Sequence, residues 1–136
     1  MASILVVDDE PKITVLLEGE LVDAGHEVVT ANDGDTALRL LQSKRLDVVI
    51  TDLRLGAVDG IAVLRAAKKA DPSLAVILMT AYATVGSAVA AMKEGASDYL
   101  EKPVNLDKLR LLVERTLETR RMVAENRLLR VKARLL

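Results

Sequence analysis

Apolar residues along this chain gather in five short runs, each closed by polar residues: 3–7, 26–31, 46–50, 74–80 and 97–100. The runs are rich in β-branched residues, and the middle one, ending Val48-Val49-Ile50-Thr51-Asp52, is the pattern of a parallel strand covered on both faces. Between the runs the period changes to that of a helix. Ile13, Leu16, Leu17 and Leu21 predict a helix over about 11–24, with Pro11 at its first position and Gly25 where a left-handed C-cap stands. Asp33-Gly34 turns the chain into a second helix marked by Ala37, Leu38, Leu40 and Leu41 and ending near Ser43. A third runs from about Asp59 to Ala70, where Asp71-Pro72 stops it. Thr84 caps a fourth that Gly95 ends, and Asn105 caps the last, with Asp107 in its first turn. Five alternations of strand and helix predict an α/β fold, a parallel five-stranded sheet with helices on both faces and right-handed connections.

The last helix has no stop signal. Leu106, Leu109, Val113 and Leu117 form a stripe that docks on the sheet, and helix formers continue to Leu136. Beyond Leu117 the stripe changes. Thr119, Met122, Asn126, Leu129, Ala133 and Leu136 alternate spacings of three and four, a heptad seam with Asn126 at an a position, which sets register and two-strandedness. Residues 1–117 are therefore expected to form the domain, and residues 118–136 a helical extension that pairs with a second copy through Met122, Asn126 and Leu129.

Charge sharpens that division. The 136 residues carry a net charge of −1, but 1–117 hold 13 Lys and Arg against 18 Asp and Glu, whereas 118–136 hold 6 against 2. The two stretches have different work. The absence of cysteine excludes a thiol nucleophile, a cysteine-ligated zinc and a disulfide framework. Apolar stretches fall far short of the roughly 20 residues of a membrane span and no leader pattern precedes Ser3, so a soluble, cytoplasmic protein is expected. Tyr82 and Tyr99 are the only aromatics, which leaves no stacking platform for nucleic acid. His26 is the only histidine and reads as a loop residue before a strand, so triad hydrolysis is out of reach.

The candidate chemistry lies at strand ends. Asp8 and Asp9 follow the first strand, Asp52 the third, Thr80 the fourth and Lys102 the fifth, which puts all five at the carboxyl rim of a parallel sheet, where ligands bind. Taken alone, each has a plainer reading: Asp52 as a loop or cap residue, Asp8 and Asp9 as caps of the first helix, Thr80 as an ordinary hydroxyl. Together they are three carboxylates that need a cation, an ammonium for an anion seated on Asp52, and a hydroxyl donor. Hard oxygen ligands with room for water suit magnesium. The set is that of phosphoryl transfer.

In this order and spacing, Val6-Val7-Asp8-Asp9-Glu10, Thr51-Asp52, Met79-Thr80-Ala81 and Glu101-Lys102-Pro103 resemble a bacterial response-regulator receiver domain over residues 3 to about 117. The resemblance implies the CheY-like, flavodoxin-like sheet order 2-1-3-4-5, Asp52 as acceptor of a phosphoryl group from a sensor histidine kinase, and Mg²⁺ held by Asp9, Asp52 and the backbone carbonyl of Arg54, with Asp8 acting through water. It further implies that Lys102 contacts the phosphoryl group, that Thr80 moves to bind it, that Tyr99 is the switch aromatic, and that the Lys102-Pro103 bond is cis. One departure stands out: Leu55-Gly56-Ala57 occupies the place where many relatives have Met-Pro-Gly. Asp52-Leu53-Arg54, the run 80–85 and the tail 124–129 are similar to receivers of sigma-54-dependent activators of the NtrC class, in which such a helix leads to an AAA+ ATPase and a DNA-binding domain. No phosphate-binding Gly-x-x-x-x-Gly-Lys motif occurs here, so the chain is expected to be the N-terminal piece of a longer regulator, a regulatory domain and not an enzyme on external substrates. Two alternatives stay open at this level, a stand-alone CheY-like signalling protein and an Asp-nucleophile phosphatase. The phosphatase needs an acid two residues after the nucleophile, and Arg54 stands there.

Overall fold

The structure, a computed structural model, describes residues 1–81 and 84–135. Strands and helices alternate strictly: β1 Ser3–Val7, α1 Pro11–Asp23, β2 Glu27–Ala31, α2 Gly34–Ser43, β3 Val48–Asp52, α3 Gly60–Ala70, β4 Ala75–Thr80, α4 Val85–Lys93, β5 Asp98–Glu101 and α5 Leu106–Leu135. The sheet is parallel throughout, in the order β2-β1-β3-β4-β5. Winding runs outward one way from β1 to β2 and the other way from β3 to β5. The loops after β1 and β3 therefore part, and a crevice opens at the carboxyl ends of these two central strands.

Residue alternation divides the core into two layers. Leu5 and Val7 of β1, Val49 of β3 and Val76 and Leu78 of β4 pack under α2, α3 and α4 with Leu41, Val63, Leu64 and Ala91. Ile4, Val6, Val48, Ile50, Ile77 and Met79 face the other way, against Leu17 and Leu21 of α1 and Leu109, Leu112 and Val113 of α5. β3 and β4 are buried along their whole length, so the rim of the sheet is held by a core with no slack.

Four helix starts carry side-chain caps, Thr84 and Asn105 as the sequence predicts and Asp33 and Asp59 in addition. Asp33, Asp59 and Asn105 accept from the amides of Thr36, Ala62 and Lys108 at 2.7, 2.9 and 3.0 Å, and Thr84 forms a reciprocal box with Ser87. Several expectations need correction. Leu16 does not join the core stripe of α1 but is half exposed beside Val15. β2 begins one residue late, because His26 sits in the turn before it, where its Nδ1 accepts the Ala2 amide at 3.2 Å. The histidine is thus an anchored, part-buried turn residue and not a merely solvated one. β5 is displaced by one residue, since Ser97 is spent on capping: its amide donates to Val76 O at 2.8 Å and its hydroxyl accepts from the Val76 amide at 3.2 Å. The plainer alternative for Asp8 and Asp9, that they cap α1, also falls away. The N-cap of that helix is Glu10, whose side chain makes no capping bond.

α5 is one unbroken helix of 30 residues. Leu109 and Val113 are fully buried and Leu106 and Leu117 partly so, as their stripe requires. Met122 and Leu129 are exposed, at 58% and 62%, as are Thr119, Asn126 and Ala133. Leu136, the last position of that seam, and Tyr82 lie outside the described residues.

Candidate functional site

Three strand ends and their loops build the site. Asp8 follows β1 directly, Asp52 closes β3 and Thr80 closes β4. Parallel registry aligns them: Val7 pairs with Thr51, and Asp52 with Met79. Lys102 lies one residue past β5, its amide donating to Thr80 O at 2.8 Å. Asp8 is fully buried, Thr80 is 1% exposed and Asp52 is 8% exposed, whereas Asp9 is exposed at the mouth.

Carboxylate oxygens of Asp8, Asp9 and Asp52 lie within 4.8 Å of one another. Three acids at that separation repel, and the repulsion shows at Asp9, whose pKa is raised by burial and by the neighbouring Asp8 and Asp52. Lys102 offsets part of the charge: Nζ donates to Asp8 Oδ2 at 2.7 Å and to Asp52 Oδ2 at 3.1 Å. Burial pushes the ammonium pKa down, but its bonds to the two carboxylates outweigh that and hold it above the ordinary lysine value. Lys102 is thus charged at every physiological pH. The donor set, all hard oxygen with one acid at the open side, fits a divalent cation such as magnesium.

Local backbone contacts aim Asp52. The Arg54 amide donates to Asp52 Oδ1 at 3.4 Å, and Thr51 Oγ1 donates to the Asp52 carbonyl at 3.0 Å. Two contributors escaped the sequence reading. Gly60 donates its amide to Leu53 O at 2.9 Å, and a Cβ there would fall 2.2 Å from the Asp52 carbonyl oxygen. Only glycine lets the start of α3 press this closely against the end of β3. The pair Asp59-Gly60 carried that signal, but it reads equally as an ordinary helix start. The second is Ser87, whose Oγ lies 2.9 Å from the Tyr99 hydroxyl. Thr84-x-x-Ser87 was visible as a capping box; that Tyr99 reaches it across from β5 depends on how α4 docks. The Lys102-Pro103 bond is cis, as the resemblance implied.

The five rim residues of the sequence reading therefore lie together. Arg54 stands beside them, Tyr99 is turned toward the first turn of α4, and Met122, Asn126 and Leu129 lie on the distant part of α5.

A family model described as "Response regulator receiver domain" matches residues 4–114. Among curated proteins the chain is similar to the transcriptional regulatory protein ZraR of Klebsiella oxytoca, 42% identical over 119 residues, which cover 88% of this chain and 27% of that protein. It is likewise similar to the nitrogen assimilation regulatory protein NtrX of Azorhizobium caulinodans, at 40% over 126 residues, 91% of this chain and 28% of that protein. Among solved structures, NtrX from Brucella abortus superposes with a TM-score of 0.88 at 41% identity, over 94% of this chain and 29% of that one. The chain thus spans little more than a quarter of the length of these relatives. Among the described residues no helix is long and apolar enough to cross a membrane.

Proposed function

We propose, from the premise that this chain belongs to the response regulator receiver domain family, that Asp52 accepts a phosphoryl group from a sensor histidine kinase and that the resulting acyl phosphate controls assembly. The observation that carries the reading is the convergence of Asp8, Asp9, Asp52 and Lys102 on one crevice.

In the transfer an Asp52 oxygen attacks the phosphorus of a phosphoimidazole, the P–N bond breaks, and the imidazole nitrogen leaves with the electron pair. Asp8, Asp9, Asp52 and the carbonyl of Arg54 would hold Mg²⁺, which neutralises charge on the phosphoryl oxygens. Lys102 keeps its ammonium 3.1 Å from Asp52, placed to pair with the incoming anion. Thr80, buried at the end of the neighbouring strand, offers its hydroxyl to one phosphoryl oxygen. Thr80 and Tyr99 then report occupancy of Asp52 to α4, β5 and α5 as a shift between two conformations. Only self-directed phosphotransfer and autodephosphorylation are expected.

The similarity to ZraR and NtrX supports a further reading: a cytoplasmic chain that pairs as a homodimer through α5 and, in the full-length protein, governs a sigma-54-dependent AAA+ ATPase and a DNA-binding domain, with no nucleic acid held by residues 1–136 themselves.

Beryllofluoride, a phosphoryl mimic, tests the proposal. With Mg²⁺ the wild type takes up the mimic, seen by fluorine resonance, and its sedimentation mass changes; Asp52→Asn does neither. Equal uptake by Asp52→Asn would remove Asp52 from the role. Uptake in the wild type with no mass change would separate the acceptor from control of assembly.

A further inference from the structure

At the end of the sheet opposite the acceptor crevice, α5 crosses an open cleft of about 970 Å³ bounded by the start of β3, the α3–β4 loop and the helix itself. One side chain spans it. Arg120 donates through Nη1 to Asp47 Oδ1 at 2.5 Å, through Nε to the Ser73 carbonyl at 3.0 Å, and through Nη2 to Ser73 Oγ at 3.3 Å and Asp71 Oδ2 at 3.5 Å. The partners are themselves fixed. Asp47 Oδ2 accepts the Ser3 amide of β1 at 2.9 Å, and Asp71 Oδ1 accepts both the amide and the hydroxyl of Ser73. A planar guanidinium with several donors in a fixed fork suits such a preformed set of acceptors.

Position gives this cluster its meaning. The buried anchors of α5 are Leu109, Leu112 and Val113, with Leu117 partly covered, and all the apolar residues after it up to Leu135 are largely exposed. A solvated helical segment of that length is marginal on its own in water. Among the described residues Arg120 is the last of α5 with a hydrogen bond or ion pair to the domain. It also lies on a defined face. Arg120 shares its side of the helix with Thr116, Val123 and Arg127, which are among the residues lining the cleft, whereas Met122, Asn126, Leu129 and Ala133 project roughly 120° away around the helix. Of the described seam positions from Thr119 to Ala133, Thr119 alone also lines the cleft.

We propose that Arg120 is a positioning residue that fixes the direction in which α5 leaves the receiver, and with it the direction in which the exposed seam faces a second copy. The inference rests on the reading of the extension as a dimerising helix. Held by Asp47, Asp71 and Ser73, the extension turns as one body with the sheet, and the seam is presented outward while the clamp is closed. Without the clamp no other hydrogen bond or ion pair among the described residues beyond Leu117 orients the helix on the domain, and a rearrangement at the acceptor crevice reaches the seam as fraying instead of rotation.

The chain has no cysteine, so spin labels can be set at Lys44→Cys on the base of the domain and Lys132→Cys on the extension, diluted with unlabelled chain to isolate distances within one molecule. The wild-type background gives a single narrow distance peak. Arg120→Ala loses it and speeds amide exchange across 121–135, and Asp47→Asn, which leaves an acceptor for the Ser3 amide, broadens it less. Uptake of beryllofluoride at Asp52 stays intact in both. An unchanged peak and unchanged exchange in Arg120→Ala would overturn the clamp, whatever the acceptor does. Failure of the wild type to take up the mimic would instead overturn the acceptor reading.

Discussion

Gly56 shows how one residue can keep a site and change the road to it. It follows Asp52 by four positions, where many relatives carry proline, and its φ is +82°. Proline holds φ near −65°, so the relatives' residue does not fit this backbone. Gly56→Pro is therefore expected to destabilise the fold by about 1–3 kcal/mol, the cost of a strained backbone, and to slow beryllofluoride uptake, although it restores a common family residue. Urea unfolding together with the uptake rate checks this; an unchanged or higher midpoint would mean the loop readily adopts the relatives' path. Asp52 was legible in sequence through its company, because taken alone an Asp after a buried β-branched run reads equally as a loop or cap residue, whereas Asp8, Asp9, Thr80 and Lys102 stand at the same rim. Gly60 was not, because closeness to the Asp52 carbonyl is a fact about two segments meeting.

Among the helices, α4 has the fewest buried residues. Ala91 is its only buried residue, and its first turn depends on the reciprocal bonds between Thr84 and Ser87. The Tyr99 hydroxyl adds a third member from β5. Either hydroxyl can donate in that contact, and Ser87 Oγ also lies 3.1 Å from the Thr84 carbonyl. Tyr99→Phe is expected to cost about 1 kcal/mol, the net worth of one such bond, and to speed amide exchange in residues 85–88. Combined with Ser87→Ala, the loss is expected to be smaller than the sum of the two singles. Strict additivity would show that Tyr99 and the α4 cap are independent. Periodicity marked α1, α2 and α5 and start and stop signals marked α3 and α4, with starts that fall within about a residue of those observed. The one-residue displacement of β5 arose because Ser97 bonds across to β4, a partner that local pattern does not name.

At the scale of the whole molecule the two ends of the sheet divide the labour, with acids and Lys102 at the carboxyl rim and the Arg120 cluster at the base. Asp47 links that base to folding. Burial raises its pKa, but the Ser3 amide and Arg120 together lower it below the usual 3.8. A depressed carboxylate contributes stability that is complete above its unfolded value and is lost as pH falls through the folded one. Asp47→Asn is thus expected to destabilise the chain at pH 7 and to match the wild type once the medium is more acid than the depressed value. Urea midpoints of the two proteins from pH 7 down to about 2 test this, and a gap that persists at the acid end would show that Asp47 acts through packing.

The alternation of strands and helices, the capped helix starts and the five rim residues were set by the sequence alone. Each follows from local period, from a cap's own backbone, or from the rule that parallel strands point their carboxyl ends to one side. Tertiary structure decided what lies between distant segments: Gly60 against Asp52, Tyr99 on Ser87, His26 on Ala2, and Arg120 across to Asp47 and Asp71. These contacts join residues far apart in the chain, and no local pattern carries the position of a partner that only the packing of the sheet and its helices brings near.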